Sequence, residues 1–300
     1  MNRGWRYAER IGGRGVGRTV LEHLCREYRH GDEATWRIRI EAGDVEVEGR
    51  PAGADHLLEA GEELAWQRPP WEEPEVPLAF GLIHEDEAIL VVDKPTGLPT
   101  LPGAGFLEHT LLHQVRARHG PADPMHRLGR GTTGLVVFAR TADAARVLSA
   151  AFRDRAGGSG LVKRYLTLVE GRPAQDAFEI EAPIGRVPDP ILGELHAATE
   201  AGKPSLSRVR VLERREAASL CEVTIVTGRP HQIRIHLAAA GHPLLGDPLY
   251  GVGGGRRPGS TTVPGDLGYL LHAWTLEFRH PASGEPVAFT APPPEGLVPV

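Results

Sequence analysis

The residues best suited to chemistry in this chain lie in one segment, residues 126–134, which reads His-Arg-Leu-Gly-Arg-Gly-Thr-Thr-Gly. Arg127 offers a bidentate fork to a phosphate group and a flat face on which a nucleic acid base can stack. A surface ion pair is an equally good role for this arginine. Gly131 and Gly134 allow positive φ angles and a close approach of the backbone to a ligand. The segment is therefore a candidate loop for contacting a nucleotide.

The charge distribution restricts where a polyanion could bind. The chain of 300 residues is 41% hydrophobic and has a formal net charge of -5, which argues against indiscriminate binding of nucleic acid. Residues 121–240 carry 17 Lys and Arg against 13 Asp and Glu, whereas residues 1–90 carry 11 against 19. We therefore expect a nucleic acid to lie on the mildly basic middle of the chain.

Length and composition indicate an ordinary globular protein. No apolar run approaches 18 residues and the N-terminus lacks a signal peptide pattern, so neither a membrane span nor export is expected, and a cytoplasmic location is the default. Cys25 and Cys221 are far apart and outside any CxxC spacing, which excludes a disulfide framework and a zinc knuckle.

The first 66 residues form a predicted small domain. Residues 19–28 place apolar side chains on one helical face, and a second amphipathic segment follows around Trp36. Val45 and Val47 then alternate with acids as in a short strand. This order resembles a small helix-rich RNA-binding module that often precedes the catalytic domains of RNA-modifying enzymes.

A segment rich in proline and acid, residues 67–78, is the predicted linker to a second domain at 79–300. Within that domain, residues 88–94 read as a buried strand and Thr141 as the cap of a helix. Two further segments alternate at period two. The pattern predicts an α+β fold with a mixed, largely antiparallel sheet.

Four segments of this second domain resemble, in order and at plausible spacing, the RluA-type pseudouridine synthases. They are VVDKPTGLPTLPG (91–103), MHRLGRGTTGLVVFAR (125–140), KRYLTLVEG (163–171) and TGRPHQIRIHLAAAGHPLLGDPLYG (227–251). The resemblance implies the pseudouridine synthase catalytic fold and an enzyme that isomerises uridine to pseudouridine in structured RNA, either ribosomal or transfer RNA.

The same resemblance implies roles for three residues. Tyr165 would stack on the uracil of a nucleotide flipped out of the RNA. Gly129 stands where the family carries its catalytic aspartate, and Arg229 is the family's partner for that aspartate. A guanidinium in a partly desolvated pocket needs an anion, so a substrate phosphate or a carboxylate from elsewhere should replace the missing one. Asp93, Asp123 and Asp247 are the candidates, although turn or cap chemistry explains each acid by itself.

The resemblance also indicates which residues contact the RNA. These residues are Arg127, Arg130, Thr132, Thr133, Gln232 and Arg234. The resemblance implies an enzyme that needs no metal or cofactor, acts as a monomer and has RNA as its partner. In the family the aspartate would either attack the anomeric carbon of the ribose or remove a proton from the neighbouring sugar carbon. Both routes require a carboxylate near the sugar, and Gly129 supplies none. An RNA-binding homologue that holds uridine without converting it is therefore the alternative function.

Three other features invite functional interpretations. GGRGVGRT (12–19) is close to a phosphate loop, but it lacks the lysine and a preceding buried strand, so a glycine lead-in to the first helix is favoured. His231, His236 and His242 lack metal-ligand spacing, and structural or RNA-facing roles are favoured. The glycine-rich loop 251–260, with Arg256 and Arg257, could close over RNA or be a disordered connection.

Overall fold

The structure is a computed structural model that describes residues 1–28, 31–154 and 159–299. The chain divides into two compact units, Met1–Glu73 and Pro74–Val300. The division falls inside the segment 67–78. Among the described residues, no helix has both the length and the apolar character needed to cross a bilayer.

The first unit packs two helices on a four-stranded sheet with the strand order β1-β4-β2-β3. The predicted helix after residue 19 is present as α1, and Thr19 and Glu22 form a reciprocal capping box at its start. Trp36 and Trp66 meet edge to face at 4.9 Å in the core. The elements are β1 (Trp5–Arg10), α1 (Val20–Glu27), α2 (Glu33–Glu41), β2 (Val45–Val47), β3 (Arg50–Pro51) and β4 (Glu63–Arg68).

Two strands of this unit are not evident from the sequence. β1 is half exposed and carries charged residues, so its alternation is weak. β4 continues through Arg68, two residues into the segment expected to be linker. Arg18, in the glycine-rich segment before α1, forms an ion pair with Glu27 at 3.1 Å.

The second unit contains most of the chain and one large sheet. Its elements are β5 (Gly81–Glu85), β6 (Ile89–Lys94), α3 (Leu111–His119), β7 (Asp123–Pro124), β8 (Thr132–Ala139), α4 (Ala142–Arg153), β9 (Val162–Glu170), β10 (Ala177–Ile180), β11 (Ile184–Asp189), β12 (Gly193–Ala198), β13 (Ser207–Arg214), β14 (Ala218–Ile225), α5 (Gln232–Ala239), β15 (Leu271–Arg279), β16 (Pro286–Thr290) and a 3₁₀ turn at Glu295–Leu297.

The large sheet has the order β10-β13-β14-β9-β15-β8-β6-β5, with β16 paired to β15 and β7 paired to β8. Within the described residues, β8 and β15 form its parallel pair, and its other strand pairs are antiparallel. This confirms the predicted α+β class with a mixed, largely antiparallel sheet. β11 and β12 form a separate hairpin.

The continuous apolar runs of β6 and β8 arise because the sheet is covered on both faces. Leu90 and Val92 enter one core cluster, while Ile89 and Val91 enter the other. The second cluster includes Leu148 of α4, a helix that Thr141 caps as predicted by accepting a hydrogen bond from the Ala144 amide. Burial of both faces fixes the position of the loop that precedes β8.

Gly134 makes the parallel contact between β8 and β15 possible. Its φ of 102° lies in the region that favours glycine, and it pairs with Ala273 of β15. A Cβ at this position would collide with the backbone oxygen of Ala273 and lie 2.7 Å from its nitrogen. The predicted positive φ is therefore correct for Gly134, and its structural consequence is close packing of two strands.

We expect Gly134→Ala to lower the free energy of unfolding by about 3 kcal/mol, because it combines backbone strain with a backbone collision. Chemical denaturation measures this loss. Gly255→Ala is the matched control, because a Cβ there meets no atom within 4 Å. Its effect should stay within about 0.5 kcal/mol, and equal losses in the two variants would contradict this account.

Candidate active site

A buried lysine fixes the backbone of the loop 126–134. Lys94 ends β6 and has no solvent exposure. Its ammonium donates hydrogen bonds to the carbonyl oxygens of Pro95 at 2.8 Å, Leu98 at 2.7 Å and Arg130 at 3.3 Å. Burial lowers the pKa of Lys94 to about 7, and the neighbouring charge of Asp93 opposes that shift. The first and second sequence segments are thus one structural unit.

Two further contacts strengthen this connection. The Gly97 amide donates to the Arg130 carbonyl at 2.8 Å. Thr100 exchanges hydrogen bonds with Leu128, donating through its hydroxyl at 2.9 Å and accepting at 3.2 Å. The loop is therefore held by backbone contacts on both sides of Gly129, and its conformation does not depend on a side chain at that position.

The two arginines of the loop differ in exposure. Arg130 is partly buried and donates to the Gly265 carbonyl at 2.9 Å. Arg127 is exposed, and within the described part of the chain it makes no hydrogen bond or ion pair. The pKa of His231 is lowered to about 4, mainly by burial. The positive charges of Arg234 and, to a smaller extent, Arg127 lower it further. Arg127 therefore lies near the start of α5, where the fourth segment begins.

Gly129 is exposed and has room for a side chain. A Cβ at this position would lie 3.5 Å from the Tyr269 hydroxyl oxygen and 3.6 Å from Oγ1 of Thr132, which are ordinary contacts. A Cβ on Gly131 would lie 3.0 Å from the Tyr269 ring and 3.3 Å from Leu267. The φ of Gly131 is not positive. The expectation of a left-handed backbone at Gly131 is therefore wrong, and this residue is small because Tyr269 fills the space above it.

Tyr165 lies in the middle of the large sheet, on β9 between β14 and β15. It shares a core cluster with Leu128 of the loop, Ile233 of α5 and Tyr269. Burial raises the pKa of the Tyr165 phenol to about 12. Its hydroxyl has no hydrogen-bond partner among the residues that the structure describes, so the oxygen is available to a ligand.

Arg229 lies in the turn between β14 and α5. Its guanidinium donates to the Pro204 carbonyl at 3.0 and 3.3 Å, and its amide donates to Gln232. Lys163, two residues before Tyr165 on β9, reaches this turn, because its ammonium nitrogen lies 3.9 Å from the Cβ position of Gly228. The third and fourth sequence segments therefore meet at this turn.

Two of the three acids proposed as replacement carboxylates have other arginine partners. Asp123 pairs with Arg116 at the surface, at 2.5 Å, and Asp247 pairs with Arg234. Burial raises the pKa of Asp93, whose carboxylate accepts a hydrogen bond from the Gly134 amide. Asp247 also accepts from the amides of Leu249 and Tyr250, which confirms turn chemistry for this acid, whereas Asp123 lies on β7 and forms a surface ion pair instead.

Arg234 and Asp247 form a bidentate pair with both distances 2.7 Å, at 3% and 0% side-chain exposure. The Asp247 carboxylate raises the pKa of Arg234 against the opposing effect of burial. The guanidinium carbon lies 4.2 Å from the ring centre of Tyr269 and 4.9 Å from that of Tyr250. Arg234, expected to contact RNA, therefore holds the wall of the site.

The side chains of Gln232, Thr132 and Thr133 also organise the protein. Gln232 is 3% exposed and accepts from Thr227 while donating to the Leu206 carbonyl and to Ser207. Thr132 is buried, and Thr133 hydrogen-bonds through its hydroxyl to His272 of β15 at 2.8 Å. Of the six residues expected to contact RNA, Arg127 is the exposed one.

The histidines of the fourth segment have separate partners. His231 interacts with the Tyr250 hydroxyl, His236 lies between Ser207 and the Ala182 carbonyl, and His242 contacts the Glu170 carbonyl. No cluster of three or more metal-ligating side chains is present in the described ranges.

The glycine-rich loop 251–260 is tied to the protein by both of its arginines. Arg256 forms a bidentate pair with Asp189 at 2.7 and 2.9 Å and holds the pKa of Asp189 at about 2. Arg257 pairs with Glu170 at 2.7 Å. The expectation of a disordered connection is therefore wrong for these two arginines, whereas closure of the loop over RNA stays a prediction.

Sequence reasoning missed Tyr269 and the tethering role of Lys94. Tyr269 lies in the glycine-containing segment just before β15, which has no periodic pattern. Lys94 ends an apolar strand, and its complete burial could not be read from the sequence. An isolated aromatic residue between Gly268 and a buried strand was the signal available for Tyr269.

The comparisons with known proteins identify the family. A profile described as RNA pseudouridylate synthase matches residues 88–239, from β6 to α5. The chain is 42% identical to an uncharacterized RNA pseudouridine synthase of Synechocystis sp., over 93% of this chain and 96% of that protein. The chain belongs to the RNA pseudouridine synthase family. It is accordingly an isomerase that converts uridine in RNA to pseudouridine, as the sequence segments predict.

Two further relatives agree with this assignment. A ribosomal large subunit pseudouridine synthase D of Neisseria meningitidis is 37% identical, over 93% of this chain and 75% of that protein. The solved structure of human RNA pseudouridylate synthase domain containing 1 matches with a TM-score of 0.59 and 27% identity, covering 76% of this synthase and 89% of the human chain.

We expect Lys94→Met to lower the free energy of unfolding by about 3 kcal/mol, because three buried carbonyl oxygens lose their donor. Denaturant titration measures the loss, with Lys203→Met, at an exposed lysine of the same unit, as the control. A Lys94→Met protein as stable as the control would show that the hydrogen bonds of Lys94 contribute nothing to the free energy of unfolding.

A pH dependence of stability should come from His126. Its Nε2 accepts from the Val137 amide, its ring stacks on Phe152, and burial, helped by Lys163, lowers its pKa to about 3 from 6.5. Between these two pH values the unfolded chain binds a proton that the folded chain does not, so acidification destabilises the fold.

His126→Gln should therefore make the loss of unfolding free energy from pH 6.5 to pH 3 shallower than in the wild type. Denaturant titrations at several pH values measure the slope, with His56→Gln, at an exposed histidine, as the control. Parallel wild-type and His126→Gln curves would contradict the lowered pKa.

Proposed function

We propose that this synthase modifies a uridine of ribosomal RNA, which it flips into the site formed by the loop 126–134, Tyr165 and the start of α5. The observation that carries the proposal is the exposed Arg127 beside the open position of Gly129, with the buried Tyr165 in the cluster beneath. The name of the Neisseria relative, a large subunit synthase, supports ribosomal RNA as the substrate class.

A uridine stacked in RNA cannot be rearranged in place, so the nucleotide must leave its stack at a cost of a few kcal/mol. An aromatic ring can replace the lost stacking, and Tyr165 offers a ring whose hydroxyl is unpaired among the described residues. Arg127 can hold the adjacent phosphate through its bidentate fork. Arg229 and Lys163 add positive charge at the turn 227–229, which leads into α5.

We propose further that Gly129 occupies the position of the family aspartate and that the reaction needs no metal or cofactor. The isomerisation breaks one bond between the base and the sugar and forms another. It therefore requires no oxidant or reductant and no second molecule that accepts a group. We also propose that the protein acts as a monomer in the cytoplasm and that Met1–Glu73 is an accessory RNA-binding unit. The net negative charge of residues 1–90 limits that unit to a few specific contacts.

The test is release of tritium from RNA that carries tritium at carbon 5 of uracil, because pseudouridine formation removes that hydrogen. We expect release from ribosomal RNA of the large subunit and none from transfer RNA. Release from transfer RNA alone would overturn the proposed substrate class. No release from either RNA, with binding retained, would favour the alternative of a protein that binds uridine without converting it.

A further inference from the structure

The side chain of Tyr269 occupies the space that a side chain at position 131 would need, and it lies at ordinary contact distance from the open position 129. Its hydroxyl oxygen lies 3.5 Å from the Cβ position of Gly129, and its ring lies 3.0 Å from that of Gly131. The residue is 5% exposed, whereas Gly129 beside it is exposed. Gly131 therefore makes room for the phenol, whose oxygen lies beside the open position 129.

The position of this phenol is fixed by a buried ion pair. The Arg234 guanidinium lies against the Tyr269 ring at 4.2 Å and is held by both oxygens of Asp247. Asp247 is in turn fixed by the backbone amides of Leu249 and Tyr250, at 2.9 and 3.0 Å. A ring packed on such a pair has little freedom to turn, so its oxygen is preorganised.

The hydroxyl itself is unused. In the ranges that the structure describes, no group forms a hydrogen bond with the Tyr269 oxygen, although the residue is more than nine-tenths buried. The oxygen is not among the fully buried side-chain atoms that lack a partner in the described residues, so it keeps contact with solvent and is open to a ligand. A ligand entering beside Gly129 would meet this oxygen first.

We propose that Tyr269 is the catalytic residue of this synthase and that its phenolic oxygen acts on the ribose from the space where an aspartate at 129 would project. The inference rests on the proposed function and on the assignment of Gly129 to the aspartate position. Tyrosine forms covalent intermediates in other enzymes, including some that cleave glycosidic bonds.

The step balances without any further reactant. The phenol gives its proton to water, and its oxygen attacks carbon 1′ of the ribose while the bond from that carbon to N1 of uracil breaks, leaving the electron pair on uracil. The base turns, and carbon 5 attacks carbon 1′, which releases the phenolate. Carbon 5 then loses its hydrogen to water, N1 gains a proton, and the phenolate recovers its own.

Other oxygens near Gly129 fit the role less well. Thr132 Oγ1 lies 3.6 Å from the Cβ position, but an aliphatic alcohol gives up its proton far less readily than a phenol. Asp247 uses both oxygens on Arg234 and two amides. Asp123 is a surface acid paired with Arg116. Tyr269 is thus the oxygen that is both close and uncommitted.

The experiment compares tritium release by the wild type, Tyr269→Phe, and Tyr269→Phe combined with Gly129→Asp. We expect Tyr269→Phe to lower kcat by about 100-fold or more. RNA affinity and melting temperature should be unchanged, because the lost hydroxyl has no partner in the protein. Adding Gly129→Asp to Tyr269→Phe should raise kcat at least about tenfold above that of Tyr269→Phe alone, since a carboxylate fits at 129 and supplies the missing oxygen.

The control is Tyr269→Phe combined with Gly129→Asn, which has the shape of the aspartate variant without its charge and should restore nothing. Full activity of Tyr269→Phe would overturn the inference and leave the proposed function standing. A lower melting temperature of Tyr269→Phe, or equal rescue by the asparagine, would also overturn it. A wild type that releases no tritium from any RNA would overturn the proposed function and this inference together.

Discussion

The hydrogen bonds from the buried ammonium of Lys94 to three backbone carbonyls are the interaction on which the site depends. They join the end of the buried strand β6 to the loop that carries Arg127 and Gly129. A charge with no exposure and no direct acid partner is costly, so it persists only where several acceptors satisfy it. Here the three acceptors, from Pro95, Leu98 and Arg130, lie on two different segments of the chain. The lysine therefore sets the loop geometry before any substrate is present.

The parallel contact of β8 with β15 has a complementary effect. Gly134 allows the two backbones to approach, and the segment preceding β15 is thereby brought over the loop. Tyr269 lies in that segment, two residues before Leu271, where the strand begins. The absence of a side chain at Gly131 and the large side chain of Tyr269 are parts of one packing arrangement beside Gly129. A change at position 131 or 269 would alter the space beside Gly129.

Electrostatics divides the arginines of the site into two groups. Arg234 and Arg256 are paired with buried carboxylates, and such pairs specify geometry more than they add stability. Arg127 is exposed, which is the state expected of a phosphate contact before RNA binds. The residue types in the motifs are the same in both groups, so the difference in role comes from burial and from the acids nearby.

The sequence by itself determined the family, the α+β class, the buried strand at 88–94 and the helix capped by Thr141, because these follow from local pattern and from the order of four segments. It also singled out Tyr165 and Gly129. The tertiary structure decided which polar groups are already satisfied. Gln232 and Arg234 are engaged within the protein, Asp123 and Asp247 belong to other arginines, and the loop 251–260 is pinned. It also brought Tyr269, from a segment without any pattern, over Gly129. Pairing and burial depend on residues far apart in the chain, and no local pattern encodes them.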